Sequence, residues 1–196
     1  MFVITADQRE SRSHADLVPD GVALAERAGA DRLALPIERN AGDELQAMTE
    51  SAAAALEIGL ALLRDGRWSV GLGVGASETP LPGDIRAARG PVFVFARDAV
   101  DRAKQAPGRI AVSATDAVAA ADAEAFLRLL VDLRDRRSEQ GWEVADLLAR
   151  GMTQKSIAAE LGITPTAVSL RAKAAGLRLE EAATPALVRT LERLDH

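Results

Sequence analysis

Residues 153–177 read TQKSIAAELGITPTAVSLRAKAAGL, and their spacing predicts two short helices joined by a tight turn. The Thr153 hydroxyl can cap the first helix, and Ile157 and Leu161, four residues apart, give it an inward face. Ala158 is small where two helices must cross closely, and Gly162 allows the left-handed turn that ends the helix. Thr164 caps the second helix and Pro165 takes its first position, where a missing N–H costs nothing. Val168, Ala172 and Ala175 form the buried side of that helix. At about 100° per residue, Thr166, Ser169, Leu170 and Lys173 fall on the opposite, solvent-facing side.

Together with the run WEVADLLARGM ahead of it, this stretch resembles the helix-turn-helix of bacterial transcription factors and of region 4 of sigma factors. The resemblance implies double-stranded DNA as partner, with the second helix in the major groove and contacts from Lys155, Thr164, Thr166, Ser169, Leu170, Arg171 and Lys173. Arg171 departs from the pattern, since such motifs often carry an apolar residue there; at the edge of the buried face its stem can lie along apolar surface. Between residues 150 and 178 the chain has a net excess of four positive charges, although the whole is acidic at −5. That local excess suits a phosphate backbone. The competing reading is an ordinary helical hairpin in a small bundle.

Moving outward, residues 122–137 predict a helix with Phe126, Leu129, Leu130 and Leu133 on one face at spacings of three and four. Its end, RDRRSEQG at 134–141, reads as a solvated charge run that stops the helix and marks a boundary. The expected division is therefore 1–117, a linker helix over 118–140, and 141–196.

Of 196 residues, 48% are hydrophobic and 27% charged, which allows a buried core and argues against disorder along the whole chain. There is no cysteine, which excludes disulfides, thiolate metal sites and a cysteine nucleophile. Two histidines, His14 and His196, are too few for an imidazole metal cage or a Ser/His/Asp triad. The most apolar stretch, 52–63, is too short to span a bilayer, and MFVITADQRE has no basic region ahead of an apolar run. These features lead to the expectation of a cytoplasmic protein with no membrane partner.

The N-terminal part alternates short β-branched runs with alanine- and leucine-rich amphipathic stretches, the pattern of an α/β or α+β domain. Strands are expected at 2–6, 33–37, 44–48, 68–74 and 109–114, and helices at 19–28, 52–63 (capped by Ser51) and from Pro91 to about 106. Asn40, Gly42 and Asp43 mark a hairpin between the second and third strands, and the glycines of VGLGVG suggest close backbone approach or a bulge. In a β-α-β-β-α-β sheet the first and third strands can lie side by side, so Asp7 and Asp43 become neighbours. Two carboxylates at a sheet edge suit Mg²⁺, with nucleotide phosphates held by backbone amides and by Arg9 and Arg12.

Residues 1–115, with first-strand Asp7, the hairpin RNAGDELQAM, the strand VGLGVG and the helix GPVFVFARDAV, resemble the palm-type catalytic domain of class III nucleotide cyclases and, more distantly, diguanylate cyclases. The resemblance implies a ferredoxin-like palm, a purine or cyclic nucleotide ligand, Asp7 and Asp43 as metal carboxylates and Arg97 as the helix arginine. Arg39 stands where these enzymes usually carry the base-selecting lysine, Arg86 lies near the second base-selecting position, and Phe93 replaces the transition-state asparagine. These departures imply binding without turnover. As a combination of palm and terminal helix-turn-helix, the chain also resembles actinobacterial regulators of the SatD-like type. The expected protein is a homodimeric, nucleotide-sensing transcriptional regulator. An active Mg²⁺-dependent cyclase directed to DNA is the alternative, and a palm acting only as a dimerisation scaffold is a third reading. The GDE turn has its own plain explanation as a hairpin, and VGLGVG is not a dinucleotide-binding fingerprint.

Overall fold

The computed structural model describes residues 1–11, 15–40 and 42–195. Among these the chain is α+β, with five strands and eight α-helices. In chain order they are β1 (Phe2–Gln8), α1 (Val18–Gly29), β2 (Leu33–Arg39), β3 (Glu44–Thr49), α2 (Ala52–Asp65), β4 (Trp68–Val74), α3 (Pro91–Ala103), β5 (Ile110–Ala114), α4 (Ala117–Asp135), α5 (Glu139–Ala149), α6 (Gln154–Leu161), α7 (Pro165–Ala174) and α8 (Leu177–Leu194). Two compact units result: residues 1–128 with 187–196, and residues 129–186.

The first unit is built on one sheet in the order β2-β3-β1-β4-β5. β1 lies at its centre, antiparallel to both β3 and β4, and β5 adds in parallel to β4. Ile4, Val70 and Leu72 turn to the face packed against α2, where they meet Leu56, Leu60 and Leu63. Val3 and Met48 turn to the other face and join Ile85, Val92 and Ala96 of the α3 side. Pro36 sits in β2, an edge strand, where a missing N–H breaks no ladder.

Local chemistry accounts for the helix limits. Ser51 Oγ accepts from Ala54 N at 3.2 Å to start α2, and Gly66, at φ +80°, ends it with its N–H on the Leu63 carbonyl. The strand glycines serve close approach. A Cβ on Gly71 would lie 2.1 Å from Val100 N, and one on Gly73 would lie 2.4 Å from Ala96 N, so α3 rests its backbone on β4.

The other edge strand, β5, is covered by side chains. Val112 N donates to Glu124 Oε2 at 2.8 Å, while Arg102 donates to the Val112 carbonyl at 2.7 Å and Arg128 to the Ile110 carbonyl at 3.2 Å. Arg102 and Arg128 are also ion-paired with Glu124, at 2.8 and 2.7 Å. This satisfies groups that would otherwise recruit a foreign strand.

Two expectations about 117–141 are corrected. α4 starts at Ala117, with Asp116 Oδ1 accepting from Val118 N and Ala119 N at 3.0 Å each. Its buried stripe is Ala120, Ala123, Leu127, Leu130 and Val131, whereas Phe126 and Leu129 are exposed. Leu130 is buried as expected, but the stripe continues through Leu127, Ala123 and Ala120 rather than through Phe126 and Leu129. The charge run is also only partly solvated. The Arg137 side chain is 1% exposed, stacks on Trp142 with 4.4 Å to the ring centroid, and donates to the Ala175 carbonyl at 2.9 Å and to Glu180 Oε2 at 2.5 Å. Arg134 pairs with the other Glu180 oxygen.

Candidate functional site

In the second unit, Val144, Leu147, Ile157, Ala158 and Val168 form the shared core of α5, α6 and α7. Thr153 Oγ1 accepts from Ser156 N at 3.2 Å, and Thr164 Oγ1 accepts from Ala167 N at 3.1 Å. Gly162 closes α6 at φ +65°. Thr166, Ser169, Leu170 and Lys173 all lie on the exposed side of α7, and Lys155 is exposed on α6. Leu170 is 62% exposed. The Thr164 hydroxyl is engaged as a cap. Arg171 differs from its neighbours: it is half-buried and its Nη1 lies 3.3 Å from Glu143 Oε2 of α5, so it braces the helices. What remains is a face with two hydroxyls, one ammonium and one apolar side chain, chemistry that can meet phosphates, base edges and a thymine methyl.

In the first unit, Asp7 is opposite Glu44 across the β1–β3 ladder, and Gln8 N donates to the Asp43 carbonyl at 3.0 Å. Asp7 Oδ2 lies 3.0 Å from Lys104 Nζ. Burial raises the Asp7 carboxyl above its ordinary value, a shift that Asp43 adds to and that Lys104 and Arg97 only partly offset. The Lys104 ammonium therefore already pairs with one of the two carboxylates expected to hold a divalent cation. Among the described residues no group of three or more acidic, histidine or cysteine side chains could hold a metal ion. The Asp7–Asp43 donor set does not fit Mg²⁺ while Lys104 is in place.

The arginines expected at a nucleotide site disperse. Arg9 donates to the Gly66 carbonyl at 3.0 Å, and Arg39 pairs with Asp16 and donates to the Gly42 carbonyl at 2.6 Å. Arg12 lies outside the described residues. Arg86 and Arg97 do converge, on an open cleft of about 780 Å³ beside the first turn of α3. Its floor is Thr5 and Gln46, joined by a 3.2 Å hydrogen bond, and Phe93, Val94 and Phe95 of α3 add apolar lining. Arg86 is held by Asp84 at 2.7 Å and Glu38 at 3.0 Å. Arg97 pairs with the buried Glu44 and lies 3.7 Å from Asp101.

Arg89, Gln46 and Lys104 are the residues that sequence reasoning passed over. Arg89 lines the cleft and, among the described residues, donates only to backbone carbonyls, those of Arg86 and Ala88, both at 2.9 Å. Its place in ARGP, one residue before the glycine that opens α3, was the available signal.

No family model and no curated protein matches this sequence. Among solved structures, the chain is similar to a regulator of polyketide synthase expression from Bifidobacterium adolescentis, at 16% identity over 98% of this chain and 78% of that one, with a TM-score of 0.33. A likeness that low carries no argument about function. Among the described residues no helix is long and apolar enough to cross a membrane.

Proposed function

We propose that this chain is a DNA-binding transcriptional regulator whose α+β unit binds a nucleotide without turning it over. The observation that carries the reading is α7: a capped helix on the shared core of α5 and α6, with Thr166, Ser169, Leu170 and Lys173 exposed together. Such a face reads a major groove, and Lys155 extends the cationic surface toward phosphate. A single helix of this size makes few phosphate contacts, so two copies on an inverted-repeat operator supply the affinity.

Nucleotide binding is supported by the cleft and its arginines. Turnover is disfavoured because the Asp7 carboxylate is held by Lys104 and Phe93 offers no polar group to a transition state. By linkage, a nucleotide that prefers one DNA-binding arrangement must alter DNA affinity, typically by about 1–3 kcal/mol.

The test is an electrophoretic shift against DNA upstream of the chain's own coding sequence, with random-sequence competitor and with or without nucleotides. The expected result is a specific complex that a double Ser169→Ala, Lys173→Ala variant fails to form. Wild-type affinity in that folded variant sinks the assignment of the face. Formation of a cyclic nucleotide from ATP or GTP with Mg²⁺ or Mn²⁺ favours the cyclase alternative instead.

A further inference from the structure

The charge balance of the α3 cleft identifies a class of ligand, resting on the nucleotide reading above. Three guanidiniums face the cleft, but two are already neutralised: Arg86 by Asp84 and Glu38, Arg97 by Glu44 and Asp101. Arg89 has no carboxylate partner among the described residues; one of its terminal nitrogens donates to two carbonyls and the rest of its fork is unused. Glu78 also lines the cleft and adds negative charge. A site with one uncommitted guanidinium and several surrounding carboxylates repels a triphosphate, whereas one negative charge meets one donor fork.

The rest of the lining is suited to a flat heterocycle. Phe93, which packs beside Ile85 and Ala88, gives an aromatic surface, and the Gln46 amide, buried in the floor, offers polar atoms to a ring edge while its Nε2 donates to Thr5. The volume of about 780 Å³ accommodates a mononucleotide with room for water. We infer that this cleft binds a singly charged cyclic mononucleotide, its phosphodiester on Arg89 and its base against Phe93, and that it discriminates against nucleoside triphosphates.

The experiment is titration calorimetry of the full chain with cyclic AMP, cyclic GMP, ATP and GTP, each with and without Mg²⁺. The variants are Arg89→Gln, Arg89→Lys and Lys104→Ala, with thermal melting to confirm that the exposed Arg89 variants fold. One cyclic mononucleotide is expected to bind wild type without metal and at least about tenfold more tightly than ATP or GTP. Arg89→Gln should weaken it about tenfold, the size expected for losing a charge-assisted hydrogen bond, with partial recovery in Arg89→Lys and no change in Lys104→Ala. Equal or tighter triphosphate binding, or full affinity in Arg89→Gln, overturns the cleft assignment and leaves the nucleotide reading standing. If no nucleotide binds wild type at about millimolar concentration, the inference and the nucleotide reading fall together. The DNA shift, which needs no ligand, is judged separately.

Discussion

Lys104 Nζ, at the end of α3, stands 3.0 Å from Asp7 Oδ2, at the end of β1. A carboxylate that sequence pattern assigns to a metal thus has a cation from the same unit. Burial works against the Lys104 charge, and Asp7 and Asp101 more than restore it, leaving the ammonium above its ordinary value. Replacing Lys104 by alanine leaves Asp7 without that counter-charge. Mn²⁺ or Mg²⁺ affinity, followed by calorimetry, should rise at least several-fold in Lys104→Ala; equal affinity in wild type and variant contradicts the idea that Lys104 competes for the site.

Two glycine substitutions should act in opposite directions. In Gly73→Ala the new methyl meets Ala96 N and the Val92 carbonyl at 2.4 Å each, so α3 must move off the sheet. A loss of about 3 kcal/mol or more is expected in urea unfolding. Gly59, inside α2, has only Val70 at an ordinary 3.8 Å from a built Cβ. Gly59→Ala should therefore gain about 0.5–1 kcal/mol from lower chain entropy in the unfolded state. A destabilised Gly59→Ala protein means α2 packs more tightly than described.

Glu180 bridges Arg134 and Arg137 in the second unit. Burial disfavours its charge, but the two guanidiniums outweigh it and hold the carboxyl below its ordinary value of 4.5. Because the folded value lies below the unfolded one, this contribution is present above about pH 4.5 and is lost as pH falls through the folded value. Glu180→Gln strands the buried Arg137 charge and should cost about 3 kcal/mol at neutral pH. In acid the gap between wild type and variant should close; a constant difference from pH 3 to 7 in circular dichroism melts removes the ion-pair explanation.

Lys173 and Arg171 are both cationic and two residues apart, yet should behave differently toward DNA. Lys173→Ala should weaken binding and lower the slope of log affinity against log salt by about one unit, as expected for one lost phosphate contact. Arg171→Ala should mainly lower thermal stability, since its guanidinium pairs with Glu143. A salt slope that changes for Arg171 and not for Lys173 reverses the two roles.

Much of the architecture was legible because its causes are local. Ser51, Thr153 and Thr164 sit immediately ahead of their helices, Gly66 and Gly162 immediately after, and β-branched runs such as Phe2–Ala6 and Trp68–Val74 alternate with amphipathic ones. Caps, turns and periodicity involve residues within one or two helical turns of each other, so the chain displays them directly. The exposed side of α7 was legible for the same reason. The phase of α4 was not, because its buried stripe mixes Ala120 and Ala123 with Leu127, Leu130 and Val131, and two of the large side chains that suggested another phase, Phe126 and Leu129, point outward.

The sequence by itself determined the α+β class, a hairpin between the second and third strands, the two capped helices near the C-terminus and the exclusion of cysteine chemistry. Tertiary structure alone decided which charges meet: Asp7 with Lys104, Glu44 with Arg97, Arg137 with Glu180, and Arg89 with no carboxylate among the described residues. These pairs are separated by 43 to 97 positions in the chain. Partnership at that range depends on strand register and on where α3 and α8 come to rest, because a charged side chain pairs with what folding brings within a few ångströms and carries no mark of that partner in its neighbours.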